Sequence, residues 1–179
     1  YVRRFGFHGL SYAFIVSDLA ARAGEAMSRQ RLLVAHLGAG ASMASIENGQ
    51  TIDTSTGFSA LAGLPMATRS GDVDPGLLLY LILEKGWAPS VLHDQLYHGA
   101  GLLGLSGLSG DVKTLLKTDD PRASDALAQF AYQARKQAGA LITAMGGVDR
   151  IIFTGGVGEH APSIRAAICE PLSDLYGIN

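Results

Sequence analysis

Apolar and polar positions in the first third of the chain predict one helix followed by three short strands. Apolar residues recur at helical spacing after Ser11, which predicts a helix that Ser11 caps and that ends near Ala26. The segment Leu32–Leu37, apolar except for His36, is typical of a buried strand, and residues 42–46 and 50–55 continue the strand pattern. Between these last two segments, Asn48-Gly49 predicts a tight hairpin turn, because both of its residues tolerate positive φ.

Helices dominate the pattern in the rest of the chain. Asp74-Pro75 provides a cap and a first-turn proline, and the helix after it is expected to be buried because residues 77–83 are apolar nearly all round. The longest predicted helix begins at residues 119–121 and ends at Gly146-Gly147. The other predicted elements are a helix after Pro89, a short helix from Asp111, a strand at residues 150–154 and a helix after Pro162. This alternation of strands and helices indicates an α/β fold.

Two glycine-rich turns are candidate ligand sites. Gly38-Ala39-Gly40 joins two predicted strands, so it is neither a Walker loop nor a dinucleotide-binding loop, which run from strand into helix. An ordinary tight turn and a backbone nest for an anion explain it equally well. The segment from Gly155 to His160 does run from strand into helix, and that placement favours a nucleotide site over a purely structural turn.

A histidine and an arginine are the candidate reactive side chains. His8 lies between Gly6 and Gly9, which leave the backbone open to a ligand, although a hydrogen-bonded structural role is the more common fate of such a histidine. Arg69 is surrounded by small residues that leave its guanidinium accessible, and a salt bridge to Asp72 or Asp74 is the simpler alternative.

Composition narrows the possible partners. Of the 179 residues 47% are apolar and 17% charged, and the net charge of −2 gives no reason to expect nucleic acid or an anionic membrane as a partner. No apolar run is long enough to span a bilayer. The single cysteine, Cys169, fits a reducing compartment, so we expect a cytoplasmic protein, and no cysteine–histidine spacing predicts a metal site. Because the sequence starts at Tyr1 rather than Met, directly before a motif, we expect a fragment with sequence missing on both sides.

Five segments of the chain form an ordered and specific pattern. They are Phe5-Gly6-Phe7-His8-Gly9-Leu10-Ser11, His36-Leu37-Gly38-Ala39-Gly40-Ala41-Ser42, Thr68-Arg69-Ser70-Gly71-Asp72-Val73-Asp74-Pro75, Ser106-Gly107-Leu108-Ser109-Gly110-Asp111 and Phe153-Thr154-Gly155-Gly156-Val157-Gly158-Glu159. In sequence, order and spacing they resemble the acetate kinase family, also called acetokinases. Each segment alone is a weak signal, whereas the ordered set covers essentially the whole chain.

The resemblance implies a fold and an activity. The fold is a ribonuclease-H-like α/β domain, a mixed β-sheet flanked by helices, as in sugar kinases and actin. Residues 1–179 would form the single carboxy-terminal nucleotide-binding domain of a two-domain acyl kinase, with the amino-terminal domain absent from this chain. The implied reaction is reversible phosphoryl transfer from ATP to acetate with Mg²⁺, and family members tend to form homodimers.

The resemblance also assigns roles to residues. His8 and Arg69 match the family's transition-state stabilisers, a role that suits a phosphoryl group whose equatorial oxygens gain negative charge. The other assignments are nucleotide contacts at His36, Leu37, Gly38, Ala39, Gly40, Asp111, Val112, Lys113, Gly156, Val157, Gly158, Glu159 and His160, and an acyl pocket at Phe7 and Ala60. No metal ligand is assigned within the chain.

Departures from the family pattern keep alternatives open. Ala39 and His160 stand where the family usually has Asn, and Lys113 stands where it has Arg, which bears on nucleotide affinity. Ala60 replaces a common Pro beside the acyl pocket, so propionate or butyrate is an alternative substrate. A non-catalytic nucleotide-binding domain is the second alternative. Because a substrate arginine, an essential aspartate and a metal-linked glutamate of the family fall outside this sequence, we expect the chain to be inactive alone.

Overall fold

The computed structural model describes residues 2–177 and contains a four-stranded mixed sheet in the order β3-β2-β1-β4. Its strands are β1 (Leu32–Leu37), β2 (Ala41–Glu47), β3 (Gln50–Thr54) and β4 (Arg150–Thr154). β1 pairs with β2, and β2 with β3, in antiparallel fashion, whereas β1 and β4 run parallel. The sheet confirms the predicted α/β class and each predicted strand. Asn48 and Gly49 have φ of 51° and 74°, as the predicted hairpin requires.

Nine α-helices surround the sheet in the described residues. They are α1 (Gly9–Ala23), α2 (Glu25–Ser28), α3 (Pro75–Leu83), α4 (Pro89–Asp94), α5 (Gly101–Ser106), α6 (Val112–Leu115), α7 (Pro121–Ala144), α8 (Gly155–His160) and α9 (Pro162–Tyr176), with a π-helical turn at Gln95–Gly99. The carboxylates of Asp74, Asp111 and Asp120 accept backbone N–H bonds at the starts of α3, α6 and α7.

Alternate residues of β1 and β2 enter different cores, because successive side chains in a strand point to opposite faces. Leu33, Ala35 and Leu37 face the larger core, which is completed by α5, α6, α7 and α9. Leu32 and Val34 face a smaller core that α1 covers with Tyr12 and neighbouring apolar residues. The turn between β1 and β2 therefore lies at the end of two central strands that are buried on both faces.

Four predictions about local structure are wrong. Ser11 does not cap α1: the position before the helix is taken by His8, and Ser11 lies inside the first turn. The predicted helix to Ala26 is interrupted, because Gly24 has a φ of 88° and separates α1 from α2. The segment from Gly155 to His160 is not a loop, since it forms the six-residue helix α8 directly after β4.

The fourth wrong prediction concerns α3, which was expected to be buried. None of its residues is buried, and Leu79 and Leu83 are 58% and 74% exposed. Leu78, Leu81 and Ile82 are half-buried, and the rest of the apolar surface of this helix is not covered by any element within residues 2–177. No helix in that described range is both long and apolar enough to cross a membrane.

Candidate active site

A cavity of about 600 Å³ lies between the β1–β2 turn, the start of α6 and helix α8. Its volume is within the range of roughly 300–1,000 Å³ that is typical of small-molecule sites. It is lined by Gly38, Ala39, Asp111, Val112, Lys113, Leu116, Lys117, Gly156, Val157, His160 and Ala161. Three segments that are far apart in sequence, and that were each predicted to contact a nucleotide, therefore meet around one space.

The turn at Gly38, Ala39 and Gly40 contributes its first two residues to the lining of this cavity and is tightened by its own backbone. Gly38 N–H donates to the carbonyl of Gly40 at 3.1 Å, and the Ala39 carbonyl accepts from Ala67 N–H at 3.1 Å. Within the described part of the chain, the amides of Ala39 and Gly40 have no acceptor. These two N–H groups are available to an anion, whereas the Gly38 amide is already used.

His8 lies beside the turn in a conformation that is uncommon for a residue with a Cβ atom. Its φ of 59° and ψ of 19° are left-handed, and its carbonyl accepts the first backbone bond of α1 from Tyr12 N–H at 3.1 Å. The half-buried imidazole places Nε2 3.5 Å from the point where a Cβ atom on Gly40 would stand. The imidazole therefore lies within van der Waals reach of the turn at Gly40.

Arg69 reaches the same point from another loop. Its Nη2 atom is also 3.5 Å from the Cβ position of Gly40, and its Nη1 donates to the carbonyl of Ala60 at 2.9 Å. Within residues 2–177 it forms no ion pair with Asp72 or Asp74. Those carboxylates are used elsewhere: Asp72 accepts from Gly63 N–H, and Asp74 caps α3. The simpler alternative for Arg69, a salt bridge to one of them, is therefore wrong.

Burial and neighbouring groups keep the His8 imidazole neutral. Partial burial, then the adjacent His36 and then the Arg69 charge lower the pKa of His8 to about 4. The rings of His8 and His36 are stacked with their centroids 4.0 Å apart. At neutral pH His8 is thus a hydrogen-bond donor or acceptor, not a cation.

His36 is hydrogen-bonded to α1. Ser11 Oγ lies 3.1 Å from His36 Nδ1, which gives the residue that failed as a cap a different place in the site. Burial lowers the pKa of His36, and the charge of Glu159 acts in the opposite direction. Neither His36 nor Glu159 lines the cavity.

Four other predicted residues take different positions. Leu37 is fully buried and Gly158 is buried in α8, so neither can present a side chain to a ligand. Phe7 directly precedes His8, and Ala60 contributes its carbonyl to Arg69 rather than a side-chain contact.

Sequence reasoning missed several residues that shape the site. Leu116 and Lys117 line the cavity one turn after Lys113, a helical spacing that could have suggested them. Ala161 also lines it. Ser42 and Tyr12 contact the far side of the His8 ring through a chain of hydrogen bonds, and no local sequence signal indicates that pairing. Among the described residues, no cluster of three or more His, Cys, Asp or Glu side chains could hold a metal ion.

Comparisons with known proteins identify the relatives of this chain. Residues 1–179 match the sequence profile of the Acetokinase family. An acetate kinase of Rhodopseudomonas palustris (strain TIE-1) is 50% identical over 169 residues, which are 94% of this chain and 42% of that protein. A propionate kinase of Citrobacter rodentium is 42% identical over 177 residues, 97% of this chain and 44% of that protein. The chain thus spans less than half the length of these relatives.

Solved structures confirm the fold. The crystal structure of Porphyromonas gingivalis acetate kinase superposes with a TM-score of 0.92 at 38% identity, covering 98% of this chain and 45% of that one. A propionate kinase from Francisella tularensis gives a TM-score of 0.89 at 32% identity, covering 97% of this chain and 45% of that one. A ROK hexokinase from Thermus thermophilus, at a TM-score of 0.51 and 17% identity over 94% of this chain and 56% of that one, shares the fold alone.

Proposed function

The chain belongs to the acetokinase family, and from that premise we propose that the full-length protein transfers the γ-phosphoryl group of ATP to acetate, giving ADP and acetyl phosphate. By full-length protein we mean this chain with whatever sequence flanks it in its gene. The observation that carries the proposal is the convergence of His8 Nε2 and Arg69 Nη2 on Gly40, in the same turn as Gly38 and Ala39, which line the cavity.

The chemistry of phosphoryl transfer explains why these two groups suit the reaction. A carboxylate oxygen of acetate attacks the γ-phosphorus in line, the bond to the ADP oxygen breaks, and charge spreads over three equatorial oxygens. The Arg69 guanidinium supplies fixed positive charge and planar donors for those oxygens. His8 supplies a neutral N–H donor, and Ala39 and Gly40 supply backbone donors.

The residues that line the cavity are suited to binding ATP. Val112, Leu116 and Val157 offer apolar surface to an adenine base, and the Ala39 and Gly40 amides, which have no acceptor within the described residues, suit the phosphates. Gly156 faces open space, so a base can approach the backbone of α8 there. Lys113 and Lys117 add positive charge along the rim. We assign nucleotide contact to the whole predicted set, with His36, Leu37, Gly158 and Glu159 acting through backbone or indirect contacts.

Mg²⁺ would be bound at this site by the phosphates of the nucleotide rather than by side chains of this chain. Mg²⁺ is commonly bound by phosphate oxygens with one or two carboxylates, and the described residues hold no acidic cluster near the turn. When bound with ATP, Mg²⁺ neutralises phosphate charge, and its protein ligands would come from the remainder of the full-length protein. Arg69 and the turn amides provide the electrostatic stabilisation that this chain itself contributes.

Acetate is the favoured acceptor, and propionate or butyrate is the specific alternative. Relatives named propionate kinases match this chain at 42% sequence identity and in solved structure. Ala60, in place of the family's common Pro, leaves a smaller side chain next to Arg69. Phe7 and Ala60 remain our candidates for the acyl pocket.

A non-catalytic nucleotide-binding domain is the second candidate function. Ala39 and His160 both line the cavity and both depart from the family pattern, so nucleotide affinity rests more on backbone amides and on Lys113 and Lys117. The presence of both His8 and Arg69 at one point favours catalysis, because a non-catalytic descendant would not need to keep them.

The expected partners are small molecules and a second copy of the chain. We propose a cytoplasmic homodimer with no nucleic-acid or membrane partner. The exposed leucines of α3 support an interface there, since a contiguous apolar helix face of a soluble protein is usually covered.

A hydroxamate assay of the full-length protein tests the activity. With Mg-ATP, we expect acetyl hydroxamate from acetate and lower kcat/KM with propionate and butyrate. Equal inactivity on all three acids, combined with calorimetric binding of Mg-ATP, would favour the non-catalytic alternative. The 179-residue chain alone should bind Mg-ATP weakly and turn over none of the acids.

A further inference from the structure

A buried chain of hydroxyl groups runs from helix α1 to the back of the His8 ring. Tyr12 Oη is hydrogen-bonded to Ser42 Oγ, and Ser42 Oγ lies 2.8 Å from His8 Nδ1. Tyr12 and Ser42 are 3% and 0% exposed, so water does not compete for these groups. The opposite ring nitrogen, His8 Nε2, faces Gly40 and Arg69.

The donor and acceptor of each hydrogen bond in this series follow from the number of available protons and acceptors. Within the described residues, Ser42 Oγ is the one partner of the Tyr12 hydroxyl, so a neutral phenol must donate its proton there to avoid an unsatisfied buried donor. Burial raises the pKa of Tyr12 to about 12, which keeps the phenol protonated. Ser42 Oγ then accepts from Tyr12, and the direction of the next bond depends on where its own single proton goes.

Two acceptors lie near that remaining proton. His8 Nδ1 is 2.8 Å from Ser42 Oγ, whereas the Phe7 carbonyl is 3.4 Å away, beyond the usual range for an O–H···O bond. The proton therefore goes to His8 Nδ1, which acts as an acceptor. In a neutral imidazole the ring proton must then be on Nε2.

We propose that Tyr12 and Ser42 are positioning residues that hold His8 in its Nε2–H tautomer, so that the N–H points at the phosphoryl group beside Gly40 and Arg69. This inference rests on the proposed kinase function for its purpose, but not for its geometry. Tyr12 lies one helical turn after His8, and its backbone N–H bonds the His8 carbonyl. Helix α1 therefore fixes both the backbone and the ring of His8.

Nitrogen-15 NMR of histidine-labelled full-length protein reads the tautomer directly. The His8 signals are identified by their absence in His8→Gln, and the long-range correlation pattern distinguishes Nε2–H from Nδ1–H. We expect Nε2–H in the wild type and a substantial share of Nδ1–H in Tyr12→Phe, because Ser42 is then free to accept. Nδ1–H in the wild type, or an unchanged pattern in Tyr12→Phe, would overturn the proposal.

Turnover provides a second, independent measurement. We expect kcat to fall several-fold in Tyr12→Phe and about 10–100-fold in Ser42→Ala, with the KM for ATP unchanged in both, as for other residues that orient a functional histidine. The matched control is Tyr176→Phe, which removes a phenol that pairs with Thr143 Oγ1 at 3.0 Å in the α7–α9 contact, and which should change neither readout. If the wild-type protein has the predicted tautomer but no kinase activity, the kinase function is rejected. The hydrogen-bond chain from Tyr12 to His8 is then still supported.

Discussion

His8 and His36 are stacked, with ring centroids 4.0 Å apart and planes inclined by 16°. Burial is the largest cause of the lowered pKa of each ring, and for His8 the neighbouring His36 adds to it. Two stacked imidazoles of this kind stay neutral at pH 7, because protonating one places a charge against the other in a partly dehydrated site. The positive charge beside Gly40 is therefore supplied by Arg69.

Replacing Arg69 with Ala should remove most of the turnover of the full-length protein. We expect kcat to fall by roughly 10³- to 10⁵-fold, the range for arginines that stabilise phosphoryl-transfer transition states, with a much smaller change in ATP affinity. Steady-state kinetics and calorimetry with Mg-ATP measure the two effects separately. Arg69→Lys should restore little, because an ammonium lacks the planar donors.

The control for this change is Arg22→Ala on α1, where an exposed guanidinium pairs with Asp18 at 2.7 Å. That variant loses an arginine of similar size without touching the site, so its kcat should be that of the wild type. Wild-type turnover in Arg69→Ala would remove Arg69 from the mechanism.

Local signals were enough to predict most of the fold. The strand β1 is apolar at all but one position, and Asn48 and Gly49 favour positive φ. The caps Asp74 and Asp120 act within three residues of the backbone groups that they bind. Each of these interactions is encoded over a few positions. The resemblance to a family was confirmed by the profile match and by the solved structures.

Interactions between distant segments could not be predicted in the same way. Ser42 meets His8 across 34 positions, and that contact depends on the β1–β2 register and on how α1 crosses the sheet. The exposure of α3 was missed for a related reason, since an apolar helix indicates that something covers it but not what. The helix α8 was mistaken for a loop because five of the six residues from Gly155 to His160 disfavour or only weakly favour a helix.

Filling the cavity at Gly156 should weaken nucleotide binding without disturbing the fold. A Cβ atom at Gly156 meets nothing within 4 Å, and the residue lines the cavity, so the side chain in Gly156→Leu would project into free space. We expect the Kd for Mg-ATP to rise at least about tenfold, which corresponds to roughly 1.4 kcal/mol. Gly139→Leu on α7, which also meets nothing within 4 Å, is the matched control. Equal affinities in both variants would mean that ATP binds elsewhere.

Gly63 should be among the least replaceable residues in the loop that carries Ala60 to Arg69. Its φ is 91°, and a Cβ atom would lie 2.3 Å from the carbonyl oxygen of Ser55. We expect Gly63→Ala to lower the free energy of unfolding by more than about 3 kcal/mol, because backbone strain of about 1–3 kcal/mol is joined by a steric overlap that only a backbone shift relieves. Urea unfolding of the full-length protein measures this.

The matched control separates strain from overlap. Gly86 has a φ of 67° but meets nothing within 4 Å of its Cβ position. Gly86→Ala should therefore cost only the left-handed strain, about 1–2 kcal/mol. An equal decrease in the free energy of unfolding for Gly63→Ala and Gly86→Ala would show that the loop can move away from Ser55 and is not rigid.

The apolar face of α3 should control the oligomeric state. Leu79 and Leu83 are 58% and 74% exposed, and placing a carboxylate among them opposes burial in an interface. We expect Leu79→Glu to convert the proposed homodimer to a monomer in light scattering. Leu175→Glu, at a position 75% exposed on α9, should leave the mass unchanged. An undiminished mass for Leu79→Glu would place the interface elsewhere.

The lowered pKa of His8 should make the protein less stable as the pH falls. In the folded protein the pKa of His8 is about 4, against 6.5 for an unperturbed histidine. Between these values the unfolded chain binds more protons than the folded one, so the stabilisation that depends on neutral His8 is complete above pH 6.5 and is lost as the pH falls towards 4. His36, whose pKa is also lowered by burial, acts in the same direction.

Comparing variants separates the contribution of His8 to the pH dependence of stability from that of the carboxylates, because the carboxylates titrate in every variant. We expect the free energy of urea unfolding to fall less between pH 6.5 and pH 4 in His8→Gln than in the wild type, because glutamine does not titrate in that window. His93→Gln, which removes an exposed imidazole from α4, should keep the pH dependence of the wild type. If His8→Gln shows the same slope as the wild type, the His8 ring is protonated in the folded protein well above pH 4. A neutral imidazole donor beside Gly40 would then be untenable near the acid end of that window, and the hydrogen-bond chain through Ser42 would have to reverse there.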